Sequence, residues 1–197
     1  MKDITTAEME IVLCLVKSPE IDYNANNLAK VVGITSMGAL KILKRLAAES
    51  VLKSKNVGKA TIYSLNFKNP YARSYVQLML SREALFALPL VKRWVTELKR
   101  IQNATIAILF GSVLEKQSPH DIDVLLITDQ SHFSKLEQEI KELNAINVKK
   151  IHPLYQTEKD MIINIQKRDK PLLNAIKGVI IFGEEKFLEI TYESRKE

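Results

Sequence analysis

The sequence predicts an α+β protein with two dissimilar parts: three helices followed by a basic hairpin, and then strands that alternate with helices. Apolar residues recur at helical spacing in the first 50 residues, whereas short apolar runs bounded by turn residues dominate after residue 103. Charge divides in the same way. Lys and Arg outnumber Asp and Glu by 10 to 6 in residues 1–68 and by 6 to 2 in residues 69–103, but number 13 against 15 in residues 104–197.

Composition limits the classes of protein that this chain can be. Of its 197 residues, 46% are hydrophobic and 26% are charged, which excludes disordered and collagen-like chains. No apolar run reaches the roughly 20 residues of a membrane-spanning helix, and no secretion signal is visible, so we expect a soluble cytoplasmic protein with no membrane partner. The single cysteine, Cys14, lies in an apolar stretch and is expected to be a buried small hydrophobe.

Capping residues and apolar spacing define three helices at the front of the chain. Thr5 and Thr6 lie ahead of Glu8 in the pattern of a capping box, which predicts a first helix that ends at Lys17. Asn24 or Asn26 begins a short second helix that closes at Gly33. Thr35 or Ser36 begins a third helix that runs to about Ser50, with apolar residues on one face and basic residues largely on the other.

A basic hairpin follows directly. Residues 51–55 and 60–65 alternate as strands around a turn that contains Gly58. Three helices followed by such a hairpin resemble the winged helix-turn-helix domain of small prokaryotic transcription regulators, which we assign to residues 1–68. The resemblance implies that DNA is a partner.

In that fold, the third helix and the hairpin are the elements that face DNA. Lysines there provide phosphate contacts, whereas sequence reading rests on Ser36, Met37 and Arg45. The same charges are also compatible with an ordinary solvated surface. The predicted DNA-binding residues are Ser36, Met37, Lys41, Lys44 and Arg45 of the helix, and Lys53, Lys55 and Lys59 of the hairpin.

Residues 69–102 are predicted as a helical connector. Asn69-Pro70 marks its start, and two helices are separated near Pro89. Their apolar residues are suited either to a homodimer interface or to packing within one subunit. Residues 103–197 then form an α/β domain with a small mixed sheet, with strands at 105–110, 122–128, 146–154 and 178–182 and helices at 131–144, 158–167 and 171–176.

The most specific motif lies in this second domain. Gly111-Ser112 ends an apolar strand, where the glycine lets the backbone approach a ligand and the following amides and hydroxyl can hold a phosphate. Asp121 and Asp123, two apart on the next strand, project from the same face. Two carboxylates on one face suit Mg²⁺, which takes its other ligands from water and substrate phosphates.

These residues resemble the signature of the nucleotidyltransferase superfamily that includes DNA polymerase beta, in particular its minimal prokaryotic members. The resemblance implies that Asp121 and Asp123 are catalytic and bind Mg²⁺, and that Gly111 and Ser112 contact the phosphates of a nucleoside triphosphate substrate. It also implies transfer of a nucleotide, an adenylyl group foremost, to a hydroxyl of a protein or another acceptor.

The sequence departs from the family pattern at two places. The spacer Val113–His120 has eight residues and lacks the family's second glycine. The third carboxylate of active members is expected within residues 148–153, which offer Lys150 and His152 but no acid.

Three hypotheses therefore stand. The first is a DNA-binding protein with an active module, antitoxin-like, that modifies a toxin-like protein partner. The second is a transcription regulator whose inactive module acts as a nucleotide sensor or a dimerisation domain. The third is an enzyme that acts on a small molecule or an RNA end.

Overall fold

A computed structural model describes residues 4–116 and 118–195 of the chain. These residues form a mixed set of helices and strands with two small sheets, which confirms the predicted α+β class. The chain divides into two compact units, the first ending at Met79 and the second starting at Leu80, inside one helix. None of the helices in the described residues combines the length and the apolar character needed to cross a bilayer.

The first unit begins with three helices, and each starts at the side chain that caps it. The hydroxyl of Thr5 accepts the Glu8 amide before α1, Asn24 forms a capping box before α2, and the hydroxyl of Thr35 accepts the Gly38 amide before α3. Gly33 ends α2 in the left-handed conformation, with φ of 74°. The helices are α1 Thr6–Lys17, α2 Ala25–Val32 and α3 Ser36–Ala48.

An antiparallel hairpin completes the predicted pattern of the first unit. Strands β1 Leu52–Val57 and β2 Ala60–Leu65 pair with Leu52 opposite Leu65, and the amide of Tyr63 donates to the Tyr23 carbonyl at 2.8 Å. Only the inner end of the hairpin is buried, because every residue from 53 to 59 is exposed. The hairpin therefore extends into solvent from a core that contains Ile11, Leu15, Leu28, Leu43, Leu46 and Val51.

The second unit is built on a four-stranded mixed sheet. The strand order is β5-β4-β3-β6, in which β3 pairs antiparallel with β4 and β6, and β4 pairs parallel with β5. The central strand β3 is buried from Ile106 to Leu109. The elements are α4 Pro70–Phe86, which begins in the first unit, then α5 Pro89–Leu98, β3 Ile106–Phe110, β4 Ile122–Ile127, α6 Phe133–Ile146, β5 Ile151–Gln156, α7 Glu158–Gln166, α8 Lys170–Ala175, β6 Val179–Phe182 and α9 Glu184–Glu193.

Two predicted elements of this unit have different boundaries in the structure, and one helix was not predicted. The helix expected at 131–144 runs from Phe133 to Ile146, and the strand expected at 146–154 begins only at Ile151. The helix ends at Asn147, because this residue adopts an extended conformation with φ of −106° and ψ of 139°, and its side chain donates to the Leu143 carbonyl. Helix α9, which the sequence analysis did not assign, follows the last strand.

Candidate nucleic-acid interface and nucleotide site

Helix α3 has one buried and one exposed face. Ala39, Leu43 and Leu46 are fully buried. Positions 37, 41, 44 and 48 lie within about one sixth of the helix circumference on another side. The predicted residues Met37, Lys41 and Lys44 are all exposed there, and Ser36 is exposed at the start of the helix. Because α3 itself contains no acidic residue, none of its exposed side chains carries a negative charge.

The hairpin carries the other predicted lysines. Lys53 and Lys55 of β1 and Lys59 of the turn are exposed. The hairpin sequence contains no Asp or Glu, so neither strand neutralises these charges locally. Two exposed basic elements therefore stand on the first unit, and each presents ammonium groups to solvent.

Arg45 differs from the lysines of its helix. Its guanidinium donates to the carboxylate of Glu8 on α1, and only 29% of the Arg45 side chain is exposed. The hydrogen bond and charge of Glu8 raise the pKa of Arg45. Sequence reasoning treated Glu8 only as a capping residue, although its spacing from the buried Ile11, Val12 and Leu15 signals the inward face of α1.

The turn after β3 brings the glycine and one aspartate of the motif together. Phe110, the last residue of β3, pairs with Asp123 of β4, and Gly111 follows with φ of 77°. A Cβ on Gly111 would stand 2.3 Å from the Oδ2 atom of Asp123. Only glycine therefore allows the backbone to come this close to the carboxylate.

The other motif residues lie around this turn. Gly111–Leu114 form a short 3₁₀ helix that includes Ser112, and Asp121 precedes β4 by one residue. Asp121, Asp123, Gly111 and Ser112 are all partly exposed. The Lys149 ammonium donates to the Pro119 carbonyl and so ties the spacer to the segment before β5. Gln117 of the spacer lies outside the described residues.

Strand β5 provides the neighbour of Asp123 on the side away from β3. In the parallel β4–β5 pair, the partner of Asp123 is the exposed His152. No three His, Cys, Asp or Glu side chains of the described residues form a group that could hold a metal. Two carboxylates nevertheless match the way in which Mg²⁺ is held through one or two acids together with substrate phosphates. The donor set thus fits one magnesium ion that arrives with a triphosphate.

No protein-family model and no curated protein matches this chain. Two solved structures resemble parts of it. A mutant of ZitR from Lactococcus lactis shares 14% identity at a TM-score of 0.37, over 51% of this chain and 64% of the ZitR chain. Sso10a-2, a DNA-binding protein from Sulfolobus solfataricus, shares 25% identity at a TM-score of 0.31, over 48% of this chain and 97% of its own.

Proposed function

We propose that the first unit binds double-stranded DNA, with α3 in the major groove and the β1–β2 hairpin against the backbone, and that the protein acts in transcription regulation. The observation that carries this proposal is the pair of exposed, acid-free elements described above. Their five lysines have unobstructed ammonium groups, and the backbone phosphates of DNA are the polyanion that such groups bind. A helix with one buried and one exposed face is also the element that fits the major groove.

Salt dependence of binding tests this proposal directly. Each phosphate contact contributes about −0.9 to the slope of log K against log salt, so five lysine contacts predict a slope of about −4.5. Fluorescence anisotropy with a labelled duplex of arbitrary sequence measures it. Replacing Lys41 and Lys44 with Ala should weaken binding to all sequences alike and flatten the slope by about 1.8.

A matched control removes the same charge elsewhere. Lys135 and Lys141 are exposed lysines of α6 in the second unit. Their replacement with Ala should leave the slope unchanged. Equal flattening by both double variants would show that binding follows net charge and not the α3 surface, and the proposal would then be wrong.

We further propose that the second unit binds a magnesium-bound nucleoside triphosphate, with Asp121 and Asp123 toward the metal and Gly111 and Ser112 toward the phosphates. The approach of Asp123 to the left-handed turn at Gly111 supports this second function. The bound metal would supply positive charge to the phosphates. Transfer of an adenylyl group to a protein hydroxyl is the stronger form of the hypothesis, and it needs a group that accepts the proton of that hydroxyl. His152 pairs with Asp123 in the β4–β5 register, and its imidazole is our candidate for that proton acceptor.

Labelled ATP, CTP, GTP and UTP separate binding from transfer. The protein is incubated with Mg²⁺ and each nucleotide, and label is sought on the protein itself, on a co-purified partner and on RNA. Label that disappears in Asp121→Ala and Asp123→Ala indicates a transferase, whereas binding without transfer indicates a nucleotide sensor. Asp129→Ala is the control, because this exposed residue lies beyond the opposite end of β4. Absence of any nucleotide binding would contradict the proposal.

A further inference from the structure

A buried carboxylate joins three helices of the first unit. Glu8 of α1 is 1% exposed, although it carries a charge. Its Oε2 atom accepts a hydrogen bond from the guanidinium of Arg45 on α3, and its Oε1 atom accepts one from the hydroxyl of Tyr75 on α4. Both carboxylate oxygens are therefore engaged, and each partner comes from a different helix.

The buried carboxylate of Glu8 depends on both of its hydrogen-bond partners, Arg45 and Tyr75. Moving a carboxylate out of water is unfavourable, and the lost solvation is recovered only when a cation and further donors surround the carboxylate. Removing Arg45 would leave an uncompensated buried charge on Glu8. The network therefore resists any movement that would separate α3 or α4 from α1.

The position of Arg45 on its helix links this network to the basic surface. Arg45 follows Lys44 directly, so the two side chains leave α3 about 100° apart. Burial of Ala39, Leu43 and Leu46 sets which face of α3 packs inward. The contact of Arg45 with Glu8 adds a polar connection to α1 at the edge of that face, while Lys44 and Lys41 point to solvent. A helix free to rotate would present a different set of side chains to a groove.

We infer that Arg45 is a positioning residue for the DNA-binding surface and not a DNA contact, and that Glu8 and Tyr75 hold it in that role. This inference rests on the proposed DNA binding by the first unit. It assigns to Arg45 a role different from the base reading expected from its place in the third helix. It also predicts that the three residues act as one unit.

DNA binding measured at several salt concentrations distinguishes a positioning role of Arg45 from a direct phosphate contact. A positioning role predicts that Arg45→Ala and Glu8→Gln each weaken binding about 2- to 30-fold, the range for residues that act through another element. Neither variant should change the salt slope, because no phosphate contact is lost. Lys44→Ala, next to Arg45 on the same helix, is the matched control and should flatten the slope by about 0.9.

The opposite result would overturn the inference. If Arg45 contacts phosphate, Arg45→Ala flattens the slope as Lys44→Ala does, and Glu8→Gln strengthens binding because it frees the guanidinium. Circular dichroism identifies a temperature at which each variant is folded, and Tyr75→Phe provides a milder change that removes only the hydroxyl. Tyr75→Phe should weaken binding in the same direction with an unchanged slope, and an unchanged affinity would remove Tyr75 from the network.

A second measurement does not depend on DNA. Residual dipolar couplings of backbone amides report the orientation of α3 relative to α1, which should change in Arg45→Ala and stay unchanged in Lys44→Ala. If the wild-type protein binds no duplex, the proposed function fails. The couplings then still decide the positioning role, and an α3 orientation that does not move in Arg45→Ala would refute it.

Discussion

Replacement of Gly111 with Ala tests the geometry on which the proposed nucleotide site depends. Two separate consequences follow from the structure. The residue has φ of 77°, a conformation that L side chains rarely adopt, and its new Cβ would stand 2.3 Å from Oδ2 and 3.1 Å from Cγ of Asp123. The first consequence concerns the backbone alone, and the second concerns the Asp123 side chain.

The two contributions have different magnitudes. The left-handed conformation of a residue with a Cβ costs about 1–2 kcal/mol. The carboxylate of Asp123 is the end of a side chain and is able to move, at the cost of a side-chain angle away from its preferred rotamer, about 0.5–1.5 kcal/mol. Gly111→Ala should therefore lower the free energy of unfolding by about 1.5–3.5 kcal/mol. When Asp123 is also replaced with Ala, the backbone contribution should remain together with a close contact of 3.3 Å between the new Cβ and the Cβ of residue 123, whereas the clash with the carboxylate should be lost.

Tryptophan fluorescence is a suitable assay. Trp94 is the only tryptophan of the chain and is 2% exposed within the core of the second unit. Urea unfolding of the wild type, of Gly111→Ala, of Asp123→Ala and of the double variant forms a double-mutant cycle. We expect a coupling free energy of about 0.5–1.5 kcal/mol, with Gly111→Ala less harmful when Asp123 is absent.

Gly183 provides the control. Its φ is 87°, but its Cβ would stand 2.3 Å from the backbone carbonyl oxygen of Thr105, which Asp123 does not contact. Gly183→Ala should destabilise the unit regardless of residue 123. If the effects of Gly111→Ala and Asp123→Ala add within about 0.3–0.5 kcal/mol, the carboxylate does not lie over the turn. The geometry proposed for nucleotide binding would then be refuted.

Three further predictions address the rest of the fold. Asn24→Ala removes the acceptor of the Asn26 and Asn27 amides and should cost about 1 kcal/mol in urea unfolding followed by circular dichroism, whereas no loss would mean that the cap of α2 is dispensable. Phe187→Ala deletes a fully buried ring of α9 and should cost about 3–5 kcal/mol by Trp94 fluorescence, and a loss near zero would show that α9 is not packed on the unit. Burial, followed by the hydrogen bond to Glu8, raises the pKa of Tyr75 above its ordinary value. Because the neutral phenol is the favoured form, its contribution to stability is present below about pH 10 and declines as pH rises above that. The difference in unfolding free energy between the wild type and Tyr75→Phe should therefore shrink at alkaline pH, and a constant difference would contradict the shift.

Local signals in the sequence predicted the first unit well. Thr5, Asn24 and Thr35 cap the helices that they were expected to begin, because a hydroxyl or amide oxygen next to free backbone amides acts within four residues. The helix break before Pro89 was predicted from a different local signal, because proline has no backbone N–H and its ring disfavours a helical turn before it. Helix α9, which begins at Gly183 with no capping side chain, was not predicted.

A tertiary contact distinguishes Arg45 from the lysines of α3, which the sequence alone does not do. The contact between Glu8 and Arg45 joins residues 37 positions apart, so no local pattern distinguishes Arg45 from its neighbour Lys44. Both read as basic residues on the outward side of a helix. The difference between them appears only when α1 supplies a buried carboxylate at the edge of the α3 packing face.

The register of β4 and β5 identifies the residues that lie where a third carboxylate was expected. Residues 148–153 contain no acid, and the parallel pairing is more specific, because it places His152 beside Asp123. Residues on the same face of β5 as His152 are two positions away, and these are Lys150, just before the strand, and Leu154. No residue on that face therefore replaces the missing carboxylate. A histidine can accept a proton from an attacking hydroxyl, but it would not offer magnesium the oxygen ligands that a carboxylate would supply. The proposed binding of a magnesium-bound triphosphate needs only the residues named for it, whereas the proposed transfer would also need a proton acceptor, for which His152 is the candidate that the strand register provides.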